Sequence, residues 1–101
     1  MQKIPKIIHQ TWHRSDNSEV LERIDLWKSF NPEYTHNFCD ELGMLSYIEA
    51  HFDEDVVECF KRIKNIQLKA DFWRICAIYN EGGIYIDVDT KPIKSLDEVI
   101  N

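Results

Sequence analysis

Ile78-Tyr79-Asn80-Glu81-Gly82-Gly83-Ile84-Tyr85-Ile86-Asp87-Val88-Asp89 decides how this chain folds. Its first residues close a helix. Gln67 to Asn80 is apolar nearly all round, the pattern of a helix buried on most faces. Glu81-Gly82-Gly83 stops it, because one of the glycines can take the left-handed conformation that a helix end requires. Ile84 to Val88 then reads as a strand, and polar residues begin abruptly at its end. A helix turning straight into a strand that ends in two carboxylates indicates an α/β layer with its chemistry at a strand terminus.

The rest of the chain supplies the other layers. Ile4 to His9 reads as a short buried strand with Pro5 near its start, where proline is tolerated. Gln10 to Asn17 is polar, holds Trp12 and His13, and reads as a loop. Asp16, Asn17 or Ser18 can cap a helix to Phe30, with Val20, Leu21, Ile24, Trp27 and Phe30 inward. Asn31-Pro32 ends it. Tyr34 to Cys39 suits a second strand, and Asp40 caps a helix towards Phe52 with Leu42, Leu45 and Ile48 inward. Asp53 to Ile63 is a further amphipathic helix, with Val56, Val57, Phe60 and Ile63 on one side; a last helical turn follows Ser95. The order strand, helix, strand, helices, strand implies a partly parallel sheet.

Composition narrows the function. The chain has 101 residues, one small domain with a shallow core. Its formal charge of −6 argues against a sequence-independent nucleic-acid binder and against charge-driven docking on anionic lipid. No apolar run is long enough to span a bilayer, and Met1 to Ile8 does not read as a secretory signal. Cys39, Cys59 and Cys76 are odd in number and lack close spacing, which points to reduced thiols in a cytoplasmic chain, free or peripheral to a membrane.

Asp87-Val88-Asp89 is the strongest chemical signal. Alternation along a strand would put Asp87 and Asp89 on one side, together with Tyr85. Two carboxylates so placed suit a hard divalent cation such as Mn²⁺ or Mg²⁺, which leaves coordination positions for water and phosphate. Asp71 and Arg74 are three apart on the preceding helix and share a face with Gln67. A partly buried charge pair there needs either mutual pairing or a ligand. Trp12 follows the first strand, where ligands gather in open α/β sheets; it can stack on a nucleobase or cover the core edge. His9 and His13 span strand and loop and make a poor zinc pair, whereas His36 and His51 read as surface or half-buried.

Ile4-Pro5-Lys6-Ile7-Ile8-His9-Gln10-Thr11-Trp12, then Ala70-Asp71-Phe72-Trp73-Arg74 and the Ile78 to Asp89 stretch, resemble glycosyltransferase family 32, whose sugar-binding region contains the DXD motif. The second block is also similar to the catalytic block of the large clostridial glucosylating toxins. The resemblance implies a GT-A type, Rossmann-like nucleotide-diphospho-sugar transferase fold. It implies a hexosyltransferase, generally retaining, that moves sugar from a nucleoside diphosphate sugar to a glycan or other acceptor in polysaccharide or glycoconjugate biosynthesis. Asp87 and Asp89 correspond to the catalytic, metal-binding DXD carboxylates, which hold Mn²⁺ or Mg²⁺ on the donor diphosphate. Asp71 and Arg74 correspond to the pair on the donor sugar, Tyr85 to the aromatic ahead of the motif, and Trp12 to the base-stacking aromatic.

Family catalytic domains continue well past the DXD strand, and here only Thr90 to Asn101 follow. Residues 1–101 are therefore expected to form the N-terminal, donor-binding half of such a domain, C-terminally incomplete. Two other readings compete. A phosphatase of the haloacid dehalogenase type also opens its site with a strand ending in Asp-x-Asp, but near its N-terminus. A non-catalytic nucleotide-sugar-binding remnant or interaction module would keep the fold without turnover.

Overall fold

The computed structural model describes residues 4–12, 17–88, 90, 92 and 94–100. His13 and Asp89 lie outside them. Strand β1 (Ile7–Thr11) leads into α1 (Ser18–Phe30) and β2 (Thr35–Cys39). Helices α2 (Glu41–His51), α3 (Glu54–Arg62) and α4 (Ile66–Glu81) then precede β3 (Ile84–Tyr85), and α5 (Leu96–Ile100) follows. Each of the four long helices starts at a side-chain cap. Asn17, Asp40, Asp53 and Asn65 accept hydrogen bonds from backbone N–H groups of the first turn, which would otherwise lack partners.

The three strands form a parallel sheet in the order β2-β1-β3. The chain thus steps from β1 to β2 on one side and to β3 on the other. The two crossovers cover opposite faces, because parallel crossovers are right-handed and these two move across the sheet in opposite directions. On one face Val20 and Ile24 of α1 pack with Val88, Phe38 and Trp12. On the other, Met44, Ile48, Phe60, Trp73, Cys76 and Ala77 of α2, α3 and α4 form the larger core with Cys39. A sheet wound outward from a central strand leaves a crevice beyond the C-terminal ends of the two strands where the winding reverses, here β1 and β3.

Five expectations are corrected. Strand β1 begins at Ile7, not Ile4, and runs to Thr11, so Gln10 and Thr11 are buried strand residues rather than loop. Thr11 Oγ1 donates to the Cys39 carbonyl at 2.6 Å and Gln10 Oε1 lies 2.6 Å from His36 Nε2, while the buried Gln10 Nε2 has no hydrogen-bond partner among the described residues. Strand β3 ends at Tyr85, not Val88. One further ladder bond, from the Ile86 N–H to the His9 carbonyl, precedes a turn in which the Thr90 N–H donates to the Asp87 carbonyl. Val88, 3% exposed, is drawn out of the sheet line into the α1 contact.

Leu42 does not face inward; it is 76% exposed, and Met44 takes its place with Ile48. In α4, Trp73, Cys76 and Ala77 are buried while Leu68, Ile75, Ile78 and Tyr79 face outward, so that helix is covered on one side rather than most. Leu21 and Phe30 of α1 are likewise largely exposed.

Candidate donor-binding site

The turn between α4 and β3 fixes the register of everything that follows it. Gly82 and Gly83 have φ of 73° and 94°, conformations that residues with a Cβ rarely adopt. The Gly82 N–H closes α4 on the Ile78 carbonyl, and the Gly82 carbonyl accepts from His9 Nε2 at 2.7 Å. His9 Nδ1 in turn lies 2.9 Å from the Asn37 amide nitrogen. His9 is fully buried and T-stacked against Trp73. With its proton on Nε2, the ring joins β2, β1 and the α4–β3 turn, so His9 has a structural partner on each nitrogen.

Beyond this junction lies a cleft of about 480 Å³. Thr11 and Trp12 line it from the end of β1, Tyr85, Asp87 and Val88 from β3 and the turn after it, and Met44 from α2. Ile66, Gln67, Ala70 and Asp71 form the α4 wall. The sequence reading singled out Trp12, Asp71, Tyr85 and Asp87, and these four line one cleft. Arg74 is not among the lining residues. It reaches the cleft through its neighbours: its Nη2 lies 3.5 Å from Asp71 Oδ1, and its guanidinium carbon 5.2 Å from the Tyr85 ring centre.

The Asp71–Arg74 pair is more open than expected, with side chains 54% and 44% exposed. Asp71 stands at the wall of the cleft, and the Tyr85 ring is the neighbour that the Arg74 guanidinium approaches. Asp87 is also exposed, and its placement does not rest on strand alternation. Val88 anchors the turn inward, Thr90 closes it with both its N–H and its Oγ1 on the Asp87 carbonyl, and Trp27 Nε1 donates to the Thr90 carbonyl. The Asp87 side chain is thereby left at the cleft. Burial pushes the Tyr85 phenol up to about 12, helped by the negative charge of nearby Asp87. The phenol therefore stays protonated at neutral pH.

Thr11, Met44, Ile66 and Ala70 were missed as wall residues. Ile66 and Ala70 had a readable signal, since Ala70 follows Ile66 by one turn and precedes Asp71. Thr11 and Met44 had none, because their positions depend on how β1 and α2 pack. Among the described residues no three His, Cys, Asp or Glu side chains converge on one point. Asp87 is an accessible oxygen donor of the kind Mn²⁺ and Mg²⁺ prefer, and these ions are commonly held by one or two carboxylates plus substrate phosphates and water. The Asp87 carboxylate fits such an ion as one of its ligands.

Similar proteins agree on a family. Initiation-specific alpha-1,6-mannosyltransferases of Candida albicans and Schizosaccharomyces pombe are 32% and 31% identical to the chain, each over 96% of it. Inositol phosphoceramide mannosyltransferase 3 of Schizosaccharomyces pombe is 30% identical over 97% of the chain. The alignments cover 27%, 26% and 28% of those relatives, so the chain spans about a quarter of their length. No solved structure matches it. The profile of the glycosyltransferase sugar-binding region containing the DXD motif matches residues 17–101, and the chain belongs to that family.

Proposed function

We propose that residues 1–101 are the donor-binding half of a GT-A type domain that transfers a sugar from a nucleoside diphosphate sugar to a glycan or other acceptor, with retention. The observation that carries this reading is the convergence of Trp12, Asp71, Tyr85 and Asp87 on one cleft at the point where the sheet's winding reverses. Such crevices are where open α/β sheets bind nucleotides. The names of the relatives make mannose the first donor sugar to test.

In this reading Asp87 and Asp89 hold Mn²⁺ or Mg²⁺ on the donor diphosphate. When bound there, the ion would supply positive charge against the negative charge developing on the leaving nucleoside diphosphate. Tyr85 orients Asp87 through its phenol. Asp71 accepts hydrogen bonds from sugar hydroxyls and Arg74 holds Asp71 in place, so the transferred sugar is fixed relative to the diphosphate. Trp12 offers its face to the base. Three free cysteines accord with a reducing compartment, and we place the chain in the cytoplasm, free or at a membrane surface. No helix among the described residues is long and apolar enough to cross a membrane.

Calorimetry with GDP, UDP and their sugar derivatives tests the reading. Wild type should bind at least one of them more tightly with Mn²⁺ than with a chelator. Asp87→Ala should abolish the metal-dependent part while the thermal melt is retained. Trp12→Ala should weaken binding by about 1–3 kcal/mol. Equal affinity of wild type and Asp87→Ala would overturn the metal assignment, and unchanged affinity of Trp12→Ala would return that ring to the core edge beside Val88.

A further inference from the structure

Several polar side chains of the cleft already have neighbours in the protein. Thr11 donates to the Cys39 carbonyl, Asp71 pairs with Arg74, and the Tyr85 ring lies against the Arg74 guanidinium. Gln67 is different. Its backbone N–H is taken by the Asn65 cap, but among the described residues its side-chain amide makes no hydrogen bond. It is exposed and lines the cleft.

Its position along α4 gives it a direction. Asp71 lies about 4.5 Å along the helix axis from Arg74, and Gln67 about 6 Å further towards the helix N-terminus. In a β-α-β layer that N-terminus lies at the C-terminal edge of the parallel sheet, the edge at which Trp12 stands. The order along the cleft is therefore Arg74, Asp71, Gln67. If the first two face the transferred sugar, the third falls at the nucleoside end.

We infer that Gln67 is a specificity-determining residue that reads the hydrogen-bonding edge of the donor's nucleobase. The inference rests on the donor-site reading given above. A planar amide offers a donor and an acceptor side by side, the pattern with which glutamine and asparagine recognise base edges. Stacking on Trp12 tolerates any base, since every base has a π-face. Selection between bases therefore needs an edge contact, and Gln67 is the uncommitted polar group on the α4 wall.

The test is calorimetry in Mn²⁺ with GDP, UDP and ADP on wild type, Gln67→Ala and Gln67→Met, with melting curves for each. Two epimeric sugar derivatives of the preferred nucleoside diphosphate complete the set. Gln67→Ala and Gln67→Met should both weaken the preferred nucleoside diphosphate by about three- to tenfold, the span of one hydrogen bond. They should narrow its preference over the other two and leave the ratio of the two epimers unchanged. Unchanged base preference in both variants overturns the inference, and so does a changed epimer ratio, which would move Gln67 to the sugar. If wild type binds none of the nucleotides, the donor-site reading itself falls and this inference with it. Normal wild-type binding with indifferent variants overturns the Gln67 role alone.

Discussion

His9 and the Asp71–Arg74 pair both lie where α4 meets the sheet, yet they stand in different solvents. His9 is fully buried and holds the Gly82 carbonyl and the Asn37 amide on its two nitrogens. Asp71 and Arg74 stand about half in water, 3.5 Å apart. A buried polar group that loses its partner keeps the full desolvation cost, whereas an exposed pair can exchange its partner for water at little cost. The first arrangement therefore stabilises the fold, and the second is free to exchange its partner for a ligand. The blocks that carry the family resemblance supply both, which is why reading every polar residue of those blocks as a ligand would be wrong.

The largest effect should come from disturbing the buried junction. A Cβ at Gly83 would lie 2.6 Å from the Ile7 carbonyl oxygen and 3.3 Å from His9 Nε2, at a φ of +94°. Steric overlap and the backbone conformation together should cost Gly83→Ala about 3–5 kcal/mol, a large part of a small domain's stability. Urea unfolding measures it. A midpoint close to wild type would mean that the turn relaxes away from β1, and the contrast between the two polar clusters would lose its basis.

A second histidine contact, part-buried on the α1 face, sharpens the comparison through pH. Burial, helped by the nearby Lys28 charge, lowers the His36 pKa to about 4. The unfolded chain, with histidine near 6.5, binds the proton first. Stability from this group is therefore complete above about pH 6.5 and is lost as the pH falls towards 4, by at most about 3 kcal/mol. Urea midpoints taken at steps between pH 7 and pH 4 should fall in wild type and fall less in His36→Asn. Parallel curves would show that His36 gains a proton in the fold without penalty.

Local chemistry in the sequence identified the helices well. Asn17, one of three candidates, and Asp40 cap their helices as their positions after a break indicate, and Asp53, read only as a helix start, is also a cap. The errors arose where tertiary contacts outweigh local pattern. Gln10 and Thr11 look like loop residues until His36 and the Cys39 carbonyl supply partners inside the sheet. Val88 looks like a strand residue until α1 offers it a core. Leu42, Leu68 and Ile75 are apolar yet exposed, so composition alone overstates burial. The cleft was partly legible for the same reason that the helices were: spacing puts Gln67 and Asp71 on one face of α4. The wall contributed by Thr11 and Met44 depends on packing between elements distant in sequence.

The smallest stability effect should come from the pair that faces water, and it separates the two roles open to Asp71 and Arg74. An exposed ion pair three apart on a helix contributes about 0.5 kcal/mol. Asp71→Asn and Arg74→Ala should therefore shift urea midpoints only slightly, and the double variant should show little coupling beyond the sum. A pair that served packing alone would behave differently: each single change would leave an uncompensated charge and cost several kcal/mol, and an apolar double replacement would recover much of it. The side chains' exposure of 54% and 44% argues for the first outcome. If the two hold the donor sugar, either single change should lower the ratio of sugar-nucleotide to bare-diphosphate affinity while the diphosphate itself binds as before, because Asp87 and Trp12 are untouched. Arg74→Ala should act more weakly than Asp71→Asn, since Arg74 does not line the cleft and acts through Asp71 and Tyr85. Equal losses for sugar nucleotide and bare diphosphate would show that the pair shapes the whole cleft rather than the sugar's place in it.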